Sequence, residues 1–405
     1  MTKILIYYSH KETLGHAVRI MTLAQSFIKF SKPGTKVFLL QAGKKQGIAR
    51  TGNGIVSIDI PYPYDSKAQF KNIRPDLGSI PYRADFIARK IRLIRPDCAI
   101  VEFFPFARSI CLHEISQGLL FLKEKGIPVF ASVGYPYLDY NLINNPGRFL
   151  QLVKIFNRIY IHTPEEFENH FFQQAISDKR LKKTYSDIFR ALKDKIVYTG
   201  YILPDLDNAA NTNLSEIQRW SAFKGKKVLV SRGGGTIWPK VVTASIMAKK
   251  YLGVGYSILI SAGTATNQKE WSFFKKLLKN SGARDVVLVR YIPDFYTALK
   301  NCDISVNLAG YNTSVQVLKL NKRSVTIPYV AFKELGWTND QPPRALLLKK
   351  FAGSRVLPYA DLTARSLASA LEDLARIEGA GEHSYPENFF AGAKTTVESV
   401  LQFIR

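Results

Sequence analysis

Short runs of β-branched and aromatic residues recur along the chain and alternate with stretches of helical periodicity. In the first half the runs Ile4–Tyr8, Val37–Leu40, Ile55–Ile60, Ala99–Phe103, Val129–Ser132, Arg158–His162 and Ile196–Tyr198 predict strands. In the second half Val228–Ser231, Ser257–Ser261, Val286–Val289, Ile304–Asn307 and Ser324–Ile327 do the same. Most are continuous apolar runs, the pattern of parallel strands covered on both faces. Between them, His16–Phe30 carries Ile20, Leu23, Ala24 and Phe27 as one stripe at helical spacing. The alternation runs through both halves and predicts two doubly wound α/β domains. Leu203–Asn213, rich in Asp, Asn, Ala and Pro, suits neither element; a polar helix, Leu214–Phe223, and a Lys-Gly-Lys-Lys run follow it. The expected division is a first domain over 1–203, a linker over 204–225 and a second domain over 226–385. A terminal helix over 386–405 is expected to cross back to the first domain.

Composition adds little until charge is considered. A chain of 405 residues suits two domains. No apolar run approaches the ~18–20 residues of a membrane-spanning helix, and the opening run reads as a strand rather than a secretory signal. Cys98, Cys111 and Cys302 lie far apart in apolar surroundings, without metal-ligand spacing, as buried thiols of a reducing cytoplasm would. Fifty-seven Lys and Arg against thirty-two acids leave a net charge of +25. That excess implies an anionic partner: nucleic acid, an acidic membrane surface or a phosphorylated substrate. No recognised nucleic-acid motif accompanies it, which disfavours the first.

In open α/β sheets ligands gather beyond the C-terminal ends of strands, and four such loops carry unusual residues. In Ser9–His16, Gly15 allows a tight entry and His16 falls in the first turn of a helix, where the dipole keeps imidazole neutral. His16 is there either a general base or a residue capping its own helix. In Ser231–Thr236, Gly233, Gly234 and Gly235 let the backbone approach phosphate oxygens, with Thr236 beside them; a plain tight turn is the alternative. The run lacks the Walker ending and the GxGxxG spacing. In Asn307–Ser314, Gly310 breaks the strand, and Asn312, Thr313 and Ser314 stand either at an anion site or at an ordinary N-cap. Glu102 ends a buried strand and needs a partner there; it is either one half of an ion pair, with Arg108 a suitable mate, or a catalytic carboxylate.

In this order the loops resemble those of the bacterial glycosyltransferases related to the enzyme that adds N-acetylglucosamine to lipid I in peptidoglycan synthesis, and within that group a branch of predicted glycosyltransferases. The matching stretches are Leu14-Gly15-His16 with Arg19 and Leu23-Ala24, Pro96-Asp97 leading to Val101–Phe106, and Tyr198-Thr199-Gly200-Tyr201. Ser231–Gly235, Tyr291–Phe295, Gly310-Tyr311-Asn312-Thr313 and Asp340–Ala345 complete the set, and the resemblance spans residues 3 to 375. It implies the GT-B architecture, two Rossmann-like domains facing a cleft, with the donor held by the second and the acceptor by the first. It further implies that Gly310–Ser314, Tyr311 included, holds a diphosphate. Backbone near Arg290 and Ile292 faces the base, Asp340 and Gln341 contact the donor sugar, Gly233–Thr236 line the cleft and His16 is the base.

Two departures qualify this. Family members carry a glutamate that grips the ribose hydroxyls where this chain has Gln316, a weaker acceptor. After Ser132 the branch has an Arg-Asp pair, whereas this chain has Val133-Gly134-Tyr135-Pro136-Tyr137. Tyr135 and Tyr137 either stack on an acceptor sugar or fill the rim of the domain. The expected reaction is inverting transfer from a nucleotide diphosphate sugar, a uridine one by resemblance, with no tightly bound cofactor and no metal, since no Asp-x-Asp pair sits at a strand end. Rival readings are a nucleotide-sugar epimerase, for which only Glu102 and Asp139 offer carboxylates, and a sugar-nucleotide-binding protein without turnover. Finally, helix Arg83–Arg95 puts Ala84, Ile87, Ala88, Ile91 and Ile94 on one face. Phe86 and Leu93 stand on the other among Arg89, Lys90 and Arg92, the pattern of interfacial membrane contact unless the loop 69–82 covers them. The expectation is a cytoplasmic enzyme, peripheral on the inner membrane face, with a small-molecule or lipid-linked acceptor.

Overall fold

The computed structural model describes residues 1–9, 14–42, 53–60, 80–107, 111–138, 140–165, 173–174, 176–204, 215–234, 237–330, 339–377 and 385–404. The first sheet holds β1 (Lys3–Ser9), β2 (Lys36–Ala42), β3 (Ile55–Ile60), β4 (Cys98–Glu102), β5 (Val129–Val133), β6 (Arg158–Ile161) and β7 (Ile196–Tyr198). Their order is β3-β2-β1-β4-β5-β6-β7, every pair parallel. The second sheet holds β8 (Lys226–Ser231), β9 (Tyr256–Ser261), β10 (Val286–Val289), β11 (Ile304–Asn307), β12 (Arg323–Thr326) and β13 (Arg355–Val356). These run β10-β9-β8-β11-β12-β13, again all parallel. The two doubly wound sheets are those the apolar runs predicted. β13, two residues long, is too short to show a period.

Contacts divide the chain into two compact units. Met1–Pro204 and Glu387–Arg405 fall in the first, and Asp205–Glu334 and Thr338–Pro386 in the second. The last helix, Gly392–Phe403, buries Val397 and Val400 in the same cluster as Ile20, Leu23, Ala24 and Phe27 of α1 (Leu14–Phe30). Gly200 and Gly392 allow the approach, because a Cβ on either would come within 2.3 Å of backbone of the other segment. On the opposite face of the first sheet lie α2 (Ile80–Ile94) and α3 (Cys111–Glu124), which close a second cluster with Leu5, Tyr7 and Val101. Arg83 of α2, fully buried, donates to Glu114 of α3 at 2.8 Å, and the Tyr7 hydroxyl meets the same carboxylate.

In each sheet the strand order reverses at one strand. β1 lies between β2 and β4, and β8 between β9 and β11. The crevices beyond the C-terminal ends at these reversals are where a doubly wound sheet accepts a ligand.

Candidate functional site

In the first unit the reversal brings together the helix that follows β1 and the residue ending β4. His16 sits in the first turn of α1 and Glu102 is the last residue of β4. His16 Nδ1 lies 2.6 Å from Glu102 Oε1, the His16 side chain 22% exposed and the carboxylate fully buried. A buried carboxylate fixes the proton on Nδ1, so Nε2 is the basic nitrogen. The same oxygen accepts from Arg19 Nη2, one turn along α1, and Arg19 approaches His16 Nδ1 at 3.4 Å. Phe103 turns the chain sharply after Glu102, in the left-handed region at φ 62°. Its ring meets His16 edge-on at 5.2 Å and lies 5.1 Å from the Arg19 guanidinium. Glu102 therefore finds its partners on α1. Arg108, the mate considered from sequence, lies outside the described residues, as do His10 and Asp139.

Behind this group runs a second polar tier that the sequence did not reveal. Ser132, opposite Glu102 in the β4–β5 register, lies 2.7 Å from His162 Nε2. His162 Nδ1 lies 2.9 Å from Thr199 Oγ1, which itself donates to backbone carbonyls. Thr199 thus accepts from Nδ1–H, and Nε2 accepts from Ser132. Burial, then the charge of Arg19, pushes the His162 imidazole down to about 3, against a smaller opposing pull from Glu102. The signal for this tier was present in the Tyr198-Thr199-Gly200-Tyr201 stretch. The one for Arg19 was its i+3 spacing from His16.

The structure corrects two sequence expectations in this unit. Tyr135 is 1% exposed within the core cluster, so its ring is unavailable to a sugar. Tyr137 is half-buried against the same core, its N–H donating to the Tyr135 carbonyl at 2.7 Å. Phe86 also packs half-buried against the core, because its face of α2 is turned partly toward the sheet. Leu93 is 76% exposed and Tyr82, on the same side of the helix, 58%. Around them Arg89 pairs with Asp85, Lys90 lies over the Phe86 ring, and exposed Arg92 lies over Phe121. Gly15 is half-buried in the first turn of α1.

In the second unit the reversal places two turns side by side. After β8, Gly233 adopts φ +65° and open space surrounds its Cβ position. Gly234 follows in the same turn, while Gly235 and Thr236 lie outside the described residues. Arg232 is buried and donates to Glu270 at 3.2 and 3.3 Å. After β11, Ala309 adopts φ 54° and Gly310 forms the N-cap of helix Tyr311–Lys319, with no side-chain cap and no acid in the first turn. The first N–H groups of a helix, those of Tyr311, Asn312 and Thr313 here, lack intrahelical acceptors and favour an anion. Ser314 is buried, and its Oγ has no hydrogen-bond partner among the described residues. Gln316 lies further along the same helix, 8% exposed.

Arg344, fully buried, donates to the Ala309 carbonyl at 3.0 Å and to Asp340 at 2.9 Å. Gln341 Oε1 accepts from the Tyr329 N–H at 2.8 Å. The Asp340 carboxylate and the Gln341 amide oxygen are thus held by the protein beside the Gly310 turn. The Arg290 side chain donates to the Thr266 carbonyl and to Gln268, and Ile292 is buried at the end of β10. What faces outward near Arg290 and Ile292 is therefore not the Arg290 guanidinium, which is committed to its own unit.

Among the described residues no helix is long and apolar enough to cross a membrane. Residues 240–396 match the model of the glycosyltransferase family 28 C-terminal domain. No curated protein matches the chain by sequence. Solved structures match over nearly the whole chain. MurG of Acinetobacter baumannii is 16% identical, with 99% of each chain covered and a TM-score of 0.59. The kitacinnamycin glycotransferase is 15% identical, covering 100% of this chain and 99% of its own, at 0.63. A UDP-GlcNAc 2-epimerase from Neisseria meningitidis, bound to UDP-GlcNAc, is 13% identical, covering 99% and 100%, at 0.57. At these identities the structural matches speak to the fold alone.

Proposed function

We propose that this chain, which has the GT-B fold and whose residues 240–396 match the glycosyltransferase family 28 C-terminal domain, transfers a sugar, with inversion, from a uridine diphosphate sugar to a hydroxyl acceptor. The observation that carries this reading is the His16 Nδ1–Glu102 Oε1 contact of 2.6 Å at the reversal of the first sheet. It leaves Nε2 to remove the acceptor proton as the hydroxyl attacks the anomeric carbon. The imidazolium formed is then stabilised by the buried carboxylate. On the donor side, the bond from the anomeric carbon to the diphosphate oxygen breaks. The charge developing on that oxygen is met by the Gly310–Thr313 helix terminus and the Gly233 turn, which are oriented before the reaction begins. Asp340 and Gln341 flank the donor sugar, and Gln316 takes the ribose.

An exposed Leu93 and Tyr82 among the cations of α2 support a second element of the reading. The enzyme rests on an anionic membrane surface and takes a lipid-linked acceptor, each nearby Lys or Arg adding ~1 kcal/mol of attraction. Epimerisation on the same fold is the alternative, supported by the structural likeness to UDP-GlcNAc 2-epimerases. A thermal-shift panel of nucleotide diphosphates and their sugars tests the donor: uridine diphosphate should raise the melting temperature most. Tighter binding of a guanosine or thymidine donor would overturn the uridine assignment. An epimer formed from the donor alone, without acceptor, would overturn transfer.

A further inference from the structure

The Arg19 guanidinium is enclosed on several sides. It meets Glu102 Oε1, stacks over Phe103 at 5.1 Å and is 3% exposed. On its remaining side lies Gly134, where a Cβ would stand 2.4 Å from Nη1 and 2.7 Å from Cζ. The residue after Val133 thus has no side chain because the guanidinium occupies that volume. A flexible arginine tip would ordinarily move aside, but here the carboxylate, the ring and the helix it grows from leave it little room.

Resting on the reading of His16 as the base, we propose that Arg19, seated on Gly134, is a positioning residue that fixes the Glu102 carboxylate for His16 and keeps the His16 imidazole neutral. Both His16 Nδ1 and Arg19 Nη2 converge on the one oxygen, Oε1. With Arg19 in place the ion pair is complete before His16 takes a proton, so protonation raises the cluster from neutral to +1. Without Arg19, the imidazolium replaces it as the cation paired with the buried carboxylate, and the proton is held to higher pH. Among the described residues, the titratable groups that sense the cluster include, besides Glu102 and Arg19 themselves, Tyr8 of β1 and His162 after β6. Tyr8 feels the charge of Glu102, and His162 the charges of both Arg19 and Glu102. Both remain neutral: burial raises the Tyr8 phenol and lowers the His162 imidazole.

The experiment is the pH profile of kcat/KM for the full chain, with a uridine diphosphate sugar as donor, in wild type, Arg19→Met, Arg19→Lys, Gly134→Ala and His16→Ala. The acid limb should move up by about one pH unit in Arg19→Met, the scale of losing one opposite charge beside a carboxylate. Gly134→Ala, which displaces the guanidinium without removing it, should move the limb the same way by less. Arg19→Lys, which keeps the charge but loses the planar fork, should restore the midpoint while kcat stays low. A fall in kcat with an unmoved acid limb in both Arg19→Met and Gly134→Ala would overturn the proposal and leave Arg19 a packing residue. If Arg19→Met does not fold, Gly134→Ala and Arg19→Lys decide between these outcomes. Wild-type turnover in His16→Ala would instead overturn the underlying reading of the base, a result distinct from either.

Discussion

Arg344 holds the Ala309 carbonyl at 3.0 Å from across the turn, while Asn307 Oδ1 accepts from the Ala309 N–H at 2.9 Å. Ala309 is thus fixed from both sides in a left-handed conformation that costs a non-glycine residue ~1 kcal/mol. The clamp sets the direction in which Gly310 opens helix Tyr311–Lys319. Arg344→Leu should leave the buried carbonyl without this donor, at a cost of ~1–3 kcal/mol in stability. It should also shrink the melting shift that uridine diphosphate produces. Melting curves with and without the nucleotide check this, and an undiminished shift would show that the turn keeps its form without Arg344.

Replacing His16 with Ala should lower kcat by ~10²–10⁴-fold, the scale of losing a general base, with donor affinity little changed because the residues proposed to hold the donor belong to the other unit. Steady-state kinetics alongside donor titration separate the two quantities. Near-normal turnover would place the base elsewhere.

Stability should depend on pH through His162. Its imidazole is held near 3 in the folded chain, against ~6.5 when unfolded. Between those values the unfolded chain binds the extra proton. Stability is therefore complete above about 6.5 and is lost as the pH falls, by at most ~1.4 kcal/mol per unit. Urea unfolding followed by circular dichroism at pH 7.5 and 5.0 should show the loss. His162→Gln, which cannot take that proton, should show less of it; equal losses in the two proteins would assign the effect to other groups.

Membrane contact is tested on the side chains that are exposed. Tyr82→Ser with Leu93→Ser should reduce sedimentation with anionic liposomes while leaving the melting temperature close to wild type. Phe86 is unsuitable for this, because its loss would disturb the core it packs against. Binding should need anionic lipid and weaken with salt. Sedimentation unaffected by the double substitution would move the contact away from α2.

The sheets were legible because parallel strands covered on both faces leave continuous apolar runs, and β3, β7, β10 and β11 begin and end where those runs do. Glu102 was legible as a strand-end residue and His16 as a first-turn residue of the helix after a strand, since position along the chain alone places them there. What the chain did not show was their pairing, which depends on β1 and β4 being neighbours in the sheet. Arg83 illustrates the limit most clearly. At the start of an amphipathic helix rich in cations it resembles another surface charge, yet Glu114, thirty-one residues away, takes it fully into the core. Tyr135 stayed undecided for the converse reason: an aromatic after a strand end points equally well into or out of a domain until its neighbours are known, and here they enclose it.

The return of residues Glu387–Arg405 to the first unit makes the second unit, topologically, an insertion within the first. During synthesis the ribosome therefore releases nearly all of the first sheet long before the helix that covers α1. At ~5–20 residues per second the intervening stretch takes on the order of 10–40 s to appear. Throughout that interval the apolar stripe of Ile20, Leu23, Ala24 and Phe27, on the helix that carries His16, lacks the Val397 and Val400 it will bury. Covering of α1 is thus deferred until Gly392–Phe403 has been made, so a message truncated before residue 392 yields a chain in which the second unit can be whole while the helix bearing His16 remains uncovered.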